Sequence, residues 1–594
     1  MSRTVAWLLV GVVVLTALFK IALPLFVSTA SVKTNMEDVL SSWTGARANI
    51  AGDPQISFWP HPVLTLRNVT FEGGDAAAPE LLAKADAIAA GFDILAALRG
   101  TPVFYDFHLV NPVFNVERRL DGTFNWRRAG WMADAIADAA GKTPSSARNT
   151  PIGDVEIVNG TLELTDRVTS STHRISAITG SVQWRTPTTR MTAELSALMN
   201  GEKVQGTITC NEPLMLLSGQ NSTFQASFTS LPLTFSFDGS GNASSRPFAI
   251  GQLQLKAKSV GALLAWVKDE PQPVATTGSV SIDTSVTMSA QTLKMDNLSL
   301  SLDDANATGV LGMVWYPSRG PRIDGTLAFD RLDLTPLLSS VFPLRPEAGA
   351  ADGPEMALLK QISLDLRLSA QEISYGPAAL TDVAAGIMVE NGRASIDIGD
   401  GTFAEGSLSG RIALANDGAD GGQVQLALKN ADLAPVAASL GLAGPLPLGR
   451  GMLSVDLSTT EPLSKMTVDG VSGKFLYAAN NGTVVNFDLP EFARLAMLGQ
   501  VFNVSHATNG SFAFTRADIV GTMRKGVVEL TTADITGDGK TVSLAGTLPF
   551  TNGKLALAGA IRSDDPATPA MRFFADGSWP NPVISPLPAR TTQP

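Results

Sequence analysis

The sequence predicts a mainly β protein with short helices, in which an N-terminal transmembrane helix precedes a long exported β body. Three observations carry that expectation. Short runs rich in β-branched and aromatic residues recur along the chain, punctuated by Gly, Pro, Asn and Asp. A single apolar segment at the N-terminus is long enough to cross a bilayer. Residues suited to metal or disulfide chemistry are scarce, with one cysteine, Cys210, and four histidines in 594 residues.

Composition narrows the function. With 44 Lys+Arg against 55 Asp+Glu the net charge is −11, which argues against a chain built to grip nucleic acid. Charged residues make up 17% and hydrophobic ones 44%, so a packed body rather than general disorder is expected. The length suits roughly three or four domains, or one long repetitive body.

The apolar segment is VAWLLVGVVVLTALFKIALPLFV, Val5 to Val27, broken by one charge, Lys20. Val5, Trp7, Leu15, Phe19 and Phe26 are expected to belong to the membrane anchor, and Lys20 would snorkel to the interface. Arg3 and the α-amino group weakly place the N-terminus in the cytoplasm. The competing reading is a cleaved signal peptide with small residues at Ser28-Thr29-Ala30, but the apolar run exceeds the usual 7–15 residues. Either reading exports everything that follows.

After this anchor (1–30), Val32–Trp43 spaces Val32, Met36, Val39, Leu40 and Trp43 as one face of a helix stopped by Thr44-Gly45. The period then changes. Gln55–Phe58, Val63–Phe71, Val103–Leu109 and Val113–Val116 read as strands, with Val103, Tyr105, Phe107 and Leu109 on one face and Phe104, Asp106 and His108 on the other. Ile94–Arg99 reads as a short helical turn. This region, 31–130, forms the first end of the β body. Residues 131–153 shift in composition to an Ala/Asp helix (WMADAIADAA), read as solvated, and a flexible linker. Strands resume at Asp154–Asp166, where Asn159-Gly160 between two alternating runs is read as a hairpin turn.

Residues 154–563 continue as a repetitive body of short strands, among them Ser279–Met288, Leu298–Leu302, Ile362–Leu368, Ala394–Ile398, Ser407–Leu414 and Val542–Leu548. A Gly-started strand followed by a polar step and a short apolar helix begins at Gly251, Gly325 and Gly422, at unequal intervals. Leu489–Val501 is a further helix. Residues 564–594 hold a last strand and a Pro-rich tail.

Motifs for chemistry fail on spacing. Gly539-Lys540-Thr541 lacks the first P-loop glycine, since Asp534 stands there, and Gly141-Lys142-Thr143 has Ile136. Asp534–Gly539 opens like a calcium loop, but its twelfth position is Ala545, so an Asp-Gly hairpin turn is expected. No HExxH, CxxC or G-x-S-x-G occurs. His61 and His108 read as structural and Cys210 as a small buried hydrophobe. Neither catalytic residues, nor a metal site, nor a cofactor is expected. What remains is a sheet with one apolar face, and such a face needs a cover. A sandwich or barrel would make it ordinary core, whereas an open trough would leave it for acyl chains.

Several segments together resemble the AsmA family of envelope proteins. The opening order is an anchor, an amphipathic helix ending in Thr44-Gly45, and Ile56–Phe71 with Pro60, Pro62 and LTLRNVTF. Leu109–Val116 (LVNPVFNV) then leads to Asp121-Gly122-Thr123-Phe124-Asn125-Trp126. Val155–Asp166 is similar to the family's next hairpin, and Asp576-Gly577-Ser578-Trp579-Pro580-Asn581-Pro582 to its closing strand. The resemblance implies a single-pass inner-membrane protein of a Gram-negative bacterium with its body in the periplasm. It also implies a chorein-like N-terminal end and a long curved antiparallel-type sheet, a groove or taco-like trough. Its partners would be phospholipid, the inner membrane, and outer-membrane or periplasmic envelope proteins, with no nucleic acid.

On that footing the expected function is to shield phospholipid in an apolar β groove for inter-membrane transport and outer-membrane homeostasis. The alternatives are a periplasmic scaffold that carries no lipid and, with least support, an exported hydrolase. Groove candidates are the alternating apolar positions Leu64, Leu66, Tyr105, Phe107, Leu109, Val155, Ile157, Leu162 and Leu164. If about 400 residues form strands, about 27–33 of them are expected, stacking to about 130–160 Å as one uninterrupted sheet.

Overall fold

The computed structural model describes residues 29–75, 78–99, 103–121, 123–126, 130–142, 149–168, 170–243, 247–268, 278–316, 319–335, 363–415, 421–461, 468–549 and 554–587. The anchor expected at 5–27, with Val5, Trp7, Leu15, Phe19 and Phe26, lies outside them. So do Gly122, most of the linker (143–148), the short helix expected after the Gly325 strand from 336 onward, and the end of the Pro-rich tail. Among the described residues no helix is long and apolar enough to cross a membrane. The protein is mainly β, with 31 strands among these residues. The chain divides into two units, 1–290 and 291–594.

In the first unit, helix α1 (Thr29–Thr44) follows the spacing read from sequence: Met36 and Leu40 are buried, with Val39 and Trp43 packed beside them. Gly45 ends the helix at φ 69, where its N–H reaches Ser41 O at 2.9 Å, a conformation other residues adopt at a cost. The polar side of α1 covers the outer edge of the adjoining strand Arg47–Ile50. Ser41 Oγ accepts Ala48 N–H at 2.9 Å and Glu37 Oε1 accepts Ile50 N–H at 3.1 Å. Strands Val63–Asp75, Ala78–Phe92, Phe104–Val110 and Val113–Arg118 complete this layer, and Leu64, Leu66, Val69, Ile88 and Phe107 pack under α1. The short helix α2 (Ile94–Leu98) is capped by Asp93, whose carboxylate accepts Leu95 N–H at 2.8 Å.

Two sequence expectations are corrected here. Asp106, at φ 54, is a bulge: Phe107 pairs with Ala90 while Tyr105 already pairs with Gly91. The extra residue turns Phe104 into the core beside Phe107 and sends Tyr105 to the opposite face, over Gly91. The expected alternation of 103–109 therefore breaks at its centre. Asn159-Gly160, in turn, makes no hairpin. Gly153–Asp166 is one strand, bulged at Asn159 (φ 56), where its parallel partner changes from Phe104–Val110 to Val113–Arg118. Asn159 Nδ2 donates to Asn111 Oδ1 at 2.8 Å, tying the bulge to the gap between those two partners.

From there Ser171–Trp184, Met191–Met199, Glu202–Cys210, Ser222–Thr229, Thr234–Asn242, Phe248–Ala257 and Val280–Ser289 follow, each antiparallel to the one before. Helix α3 (Trp131–Ala139), expected to be solvated, is packed instead. Its small Ala135 and Ala139 let Leu214 of helix α4 (Pro213–Ser218) approach closely, and Trp131 lies edge-on to Trp43 at 5.4 Å. Helix α5 (Val260–Lys268) follows the Gly251 strand as expected.

The second unit begins Thr292–Leu302, Ala305–Tyr316, Arg319–Asp333, all antiparallel, and then takes one parallel step to Ser363–Tyr375. Antiparallel pairing resumes through Ala378–Glu390, Arg393–Phe403, Gly406–Ala415, Gly422–Asp432, Pro447–Thr459, Val471–Val485 and Ser511–Arg524. It ends Val527–Gly537, Lys540–Pro549, Leu555–Ser563, Met571–Gly577 and Val583–Leu587. The antiparallel-type sheet of the sequence reading is thus mixed, with parallel pairing in each unit. Asp538-Gly539 is the expected two-residue hairpin turn, left-handed at both positions.

Helices α6 (Leu433–Ser439) and α7 (Leu489–Met497) close the apolar face near the end of this unit. Phe492 of α7 is 1% exposed, with Phe487, Phe502 and Phe573 ring centroids 5.1–5.3 Å away. Truncating such a ring leaves a cavity that its neighbours cannot fill. Phe492→Ala should therefore cost about 3–5 kcal/mol, and Leu66→Ala under α1 about 2–5 kcal/mol. Urea midpoints would check both; a loss below about 1 kcal/mol would show that these helices do not seal the face.

Candidate functional site

The sheet register sorts side chains into two faces. On one face of the first unit, charged and amide groups stand directly across from one another. Gln225 donates to Asp238 at 2.9 Å and Gln254 to Asp283 at 3.0 Å. In the second unit Arg411 meets Asp397 at 3.5 Å, and Arg331 meets Glu372 at 3.4 Å. Single apolar residues such as Ile250 and Met388 interrupt this face.

The other face is apolar and runs in rows across the strands. In the first unit one row is Phe107, Val155, Val182, Ala193, Ile208, Ala226, Phe237, Leu253. The next is Leu109, Ile157, Gly180, Leu195, Gly206, Phe228, Phe235, Leu255, Ile282. In the second unit the best-kept row is Leu366, Ile387, Ile396, Ile412, Val424, Leu457. Leu195, Leu253, Leu255 and Ile282 are half-buried, as is every member of that last row, and Ile208 is 45% exposed. Neighbours within the sheet bury one another, and the principal contacts of these strands are with their hydrogen-bonded partners.

Helices cover the rows locally. In the first unit α1 closes the beginning. Trp266 of α5 stacks near Phe228 at 6.1 Å and donates its indole N–H to Met199 O at 2.8 Å, and α4 closes over the Cys210 end. In the second unit α6 and α7 close the last strands. Between the helices lie the half-buried rows.

The sequence candidates divide across this arrangement. Leu64, Leu66 and Phe107 are core beneath α1 and not free lining, while Leu109 and Val155 border that core. Ile157, Leu162 and Leu164 are half-buried on the apolar face, and Tyr105 stands on the opposite one. The rows that stay half-open, Leu195 to Ile282 and Leu366 to Leu457, were not singled out. Their signal is the strict alternation in Gln252–Lys256 and Ser395–Asp397, where amide, hydroxyl and charged residues mark the outward positions.

Chemistry-bearing groups are spent on structure. Cys210 is buried, 3.6 Å from Ser222 Oγ, and His108 pairs with Glu156 at 2.9 Å. No cluster of three or more metal-ligating side chains occurs among the described residues. A cavity of about 970 Å³ opens on the polar face beside Arg393, Arg411 and Gln423, but Arg411 is engaged with Asp397. Arg167 beside Glu117 holds that carboxyl below its ordinary value through a two-pronged hydrogen bond, a surface clamp between strand ends.

Comparison with family models, with curated proteins and with solved structures finds no match. The site stands on its geometry.

Tyr477 offers a probe of the apolar face. It sits in the row Leu453, Tyr477, Ile519, donates its hydroxyl to Pro447 O, and burial pushes its phenol above the usual range. A raised folded-state pKa gives a contribution that is whole below the unfolded value, about 10, and is lost as pH rises toward the folded one. Thermal midpoints should therefore fall above about pH 10, and Tyr477→Phe should flatten that fall. Equal slopes for the two proteins would refute a buried phenol.

Proposed function

We propose that this chain is an AsmA-type envelope protein, anchored in the inner membrane of a Gram-negative bacterium, whose periplasmic body shields phospholipid acyl chains along the apolar face of its sheet. The observation that carries the reading is the set of half-buried apolar positions, Leu195, Leu253, Leu255 and Ile282 in the first unit and the row Leu366 to Leu457 in the second. A face of this kind needs a cover, and an acyl chain lying across the strands supplies one without asking for hydrogen bonds. Each shielded CH₂ contributes roughly 0.8 kcal/mol, so two acyl chains lose most of their desolvation barrier with no nucleotide hydrolysis by this chain. The head group stays at the rim, in water. No catalytic step and no cofactor belong to this reading, and a curved, trough-like sheet is its expected shape.

A scaffold that binds envelope proteins and carries no lipid is the second reading. It is favoured by the sealed clusters under α1 and α7.

Lipid mass spectrometry separates the two readings. The body from residue 29 onward, produced in the periplasm and purified gently, should carry about one or more phospholipids per chain if the rows are lipid-facing. A folded, lipid-free body would overturn the proposal in favour of the scaffold. Leu253→Glu, Ile396→Glu and Val424→Glu together should reduce bound lipid about tenfold while the protein stays folded, because each site is only half-buried. Unfolding before lipid loss would mark these positions as closed core.

A further inference from the structure

Three segments of the second unit meet around the Ser578–Pro582 turn. Trp579 Nε1 donates to Ala443 O at 2.6 Å, and Gly444 lies against the Trp579 ring and Pro580. On the other side Val504 N–H reaches Pro582 O at 3.0 Å, and Phe502 and Asn503 pair with Ile584 and Val583. The loop after α6, the loop after α7 and the 578–582 turn therefore form one surface.

Its exposed side chains are large and apolar: Leu440 63%, Leu442 52%, Met497 74%, Leu498 60%, Val501 65% and Trp579 40%. Its backbone is short of charge. No Asp, Glu, Lys or Arg lies between Asp432 and Arg450, none between Arg494 and Arg516, and none between Asp576 and Arg590; His506 is the one titratable side chain in these stretches. Other charge-free stretches occur, 213–237 among them; at this end three of them converge on one turn. Arg494, at the border, is held by Glu491 at 2.6 Å.

We infer that this end of the second unit is a membrane-docking surface whose occupant is the interface of a phospholipid bilayer. The aliphatic tips enter the headgroup–acyl boundary, where an indole also partitions. Trp579 has already satisfied its N–H within the protein, so immersion costs it no hydrogen bond. The absence of Asp, Glu, Lys and Arg means that no full charge must be stripped of water on entry. A protein partner is less suited, because no Arg or Tyr stands in these stretches, and their exposed polar side chains, such as Gln500, Ser505 and Asn581, are neutral groups that a lipid interface also accepts. The inference does not depend on lipid carriage: a scaffold with a sealed sheet would dock in the same way.

The test uses the full-length chain in phosphatidylcholine nanodiscs, immobilised by an N-terminal tag and offered dye-filled phosphatidylcholine vesicles. The chain should capture vesicles, and a combined Leu440→Ser, Leu442→Ser, Met497→Ser, Val501→Ser variant should capture about tenfold fewer at an unchanged unfolding midpoint. Capture should be nearly equal at about 50 and 500 mM salt, since no ion pair is formed. No capture by the parent chain, equal capture by the variant, or a steep fall with salt would overturn the inference. So would capture confined to vesicles bearing outer-membrane proteins, which would make the occupant a protein. Lipid bound along the sheet is read separately by mass spectrometry and should be unchanged in the variant.

Discussion

Strand register is the constraint on which the rest depends. Because side chains alternate with a period of two, one residue of slip in any hairpin would move a whole row of Leu, Ile and Val to the charged face. The polar face therefore does more than dissolve the sheet. Directly opposed pairs such as Gln254 with Asp283 and Arg411 with Asp397 contribute little energy each, but they are satisfied in one register only. The apolar rows on the other face have weak shape specificity, since aliphatic side chains pack in many ways. Pairing specificity thus lives on one side of the sheet and surface chemistry on the other.

Where the alternation is broken, the break has a purpose. The bulge at Asp106 brings two phenylalanines to the same side and thickens the core beneath α1. The bulge at Asn159 lets one long strand serve two shorter ones in turn, so the layer under α1 joins the meander without an edge. The helices act as stoppers of the apolar face near chosen strands, and three of them are held by a specific aromatic contact: Trp43 on Phe107, Trp266 near Phe228, Phe492 on Phe573.

The two levels were unequally legible in the sequence. Helix α1 and its Gly45 stop could be read directly, because the spacing of Met36 and Leu40 and the terminating glycine are local. So could the strand-then-helix pattern at Gly251 and Gly422, and the Asp538-Gly539 turn. The Asn159-Gly160 pair misled because bulges and hairpin turns ask for the same left-handed backbone; what decides between them is the partner strand, some 48 residues away in the case of Asn111. Helix α3 misled because alanine is neutral in composition, and its burial depends on Leu214 in a later helix. The candidate site was half legible. Alternation identifies the apolar face, but nothing local in the chain says that a helix will sit on Leu66 and not on Ile396.

The parallel step between Arg319–Asp333 and Ser363–Tyr375 has a consequence for how such a chain can change over time. In a hairpin, turn length and pairing are coupled, so an inserted residue must be absorbed as a bulge or it displaces the next strand. A parallel neighbour starts at the same end as its predecessor, and the connection has to travel back across the full strand in any case. Its length is then free of the ladder it joins. This junction is the natural port in the second unit for acquiring or shedding a segment, since either event leaves every row on both sides of it aligned.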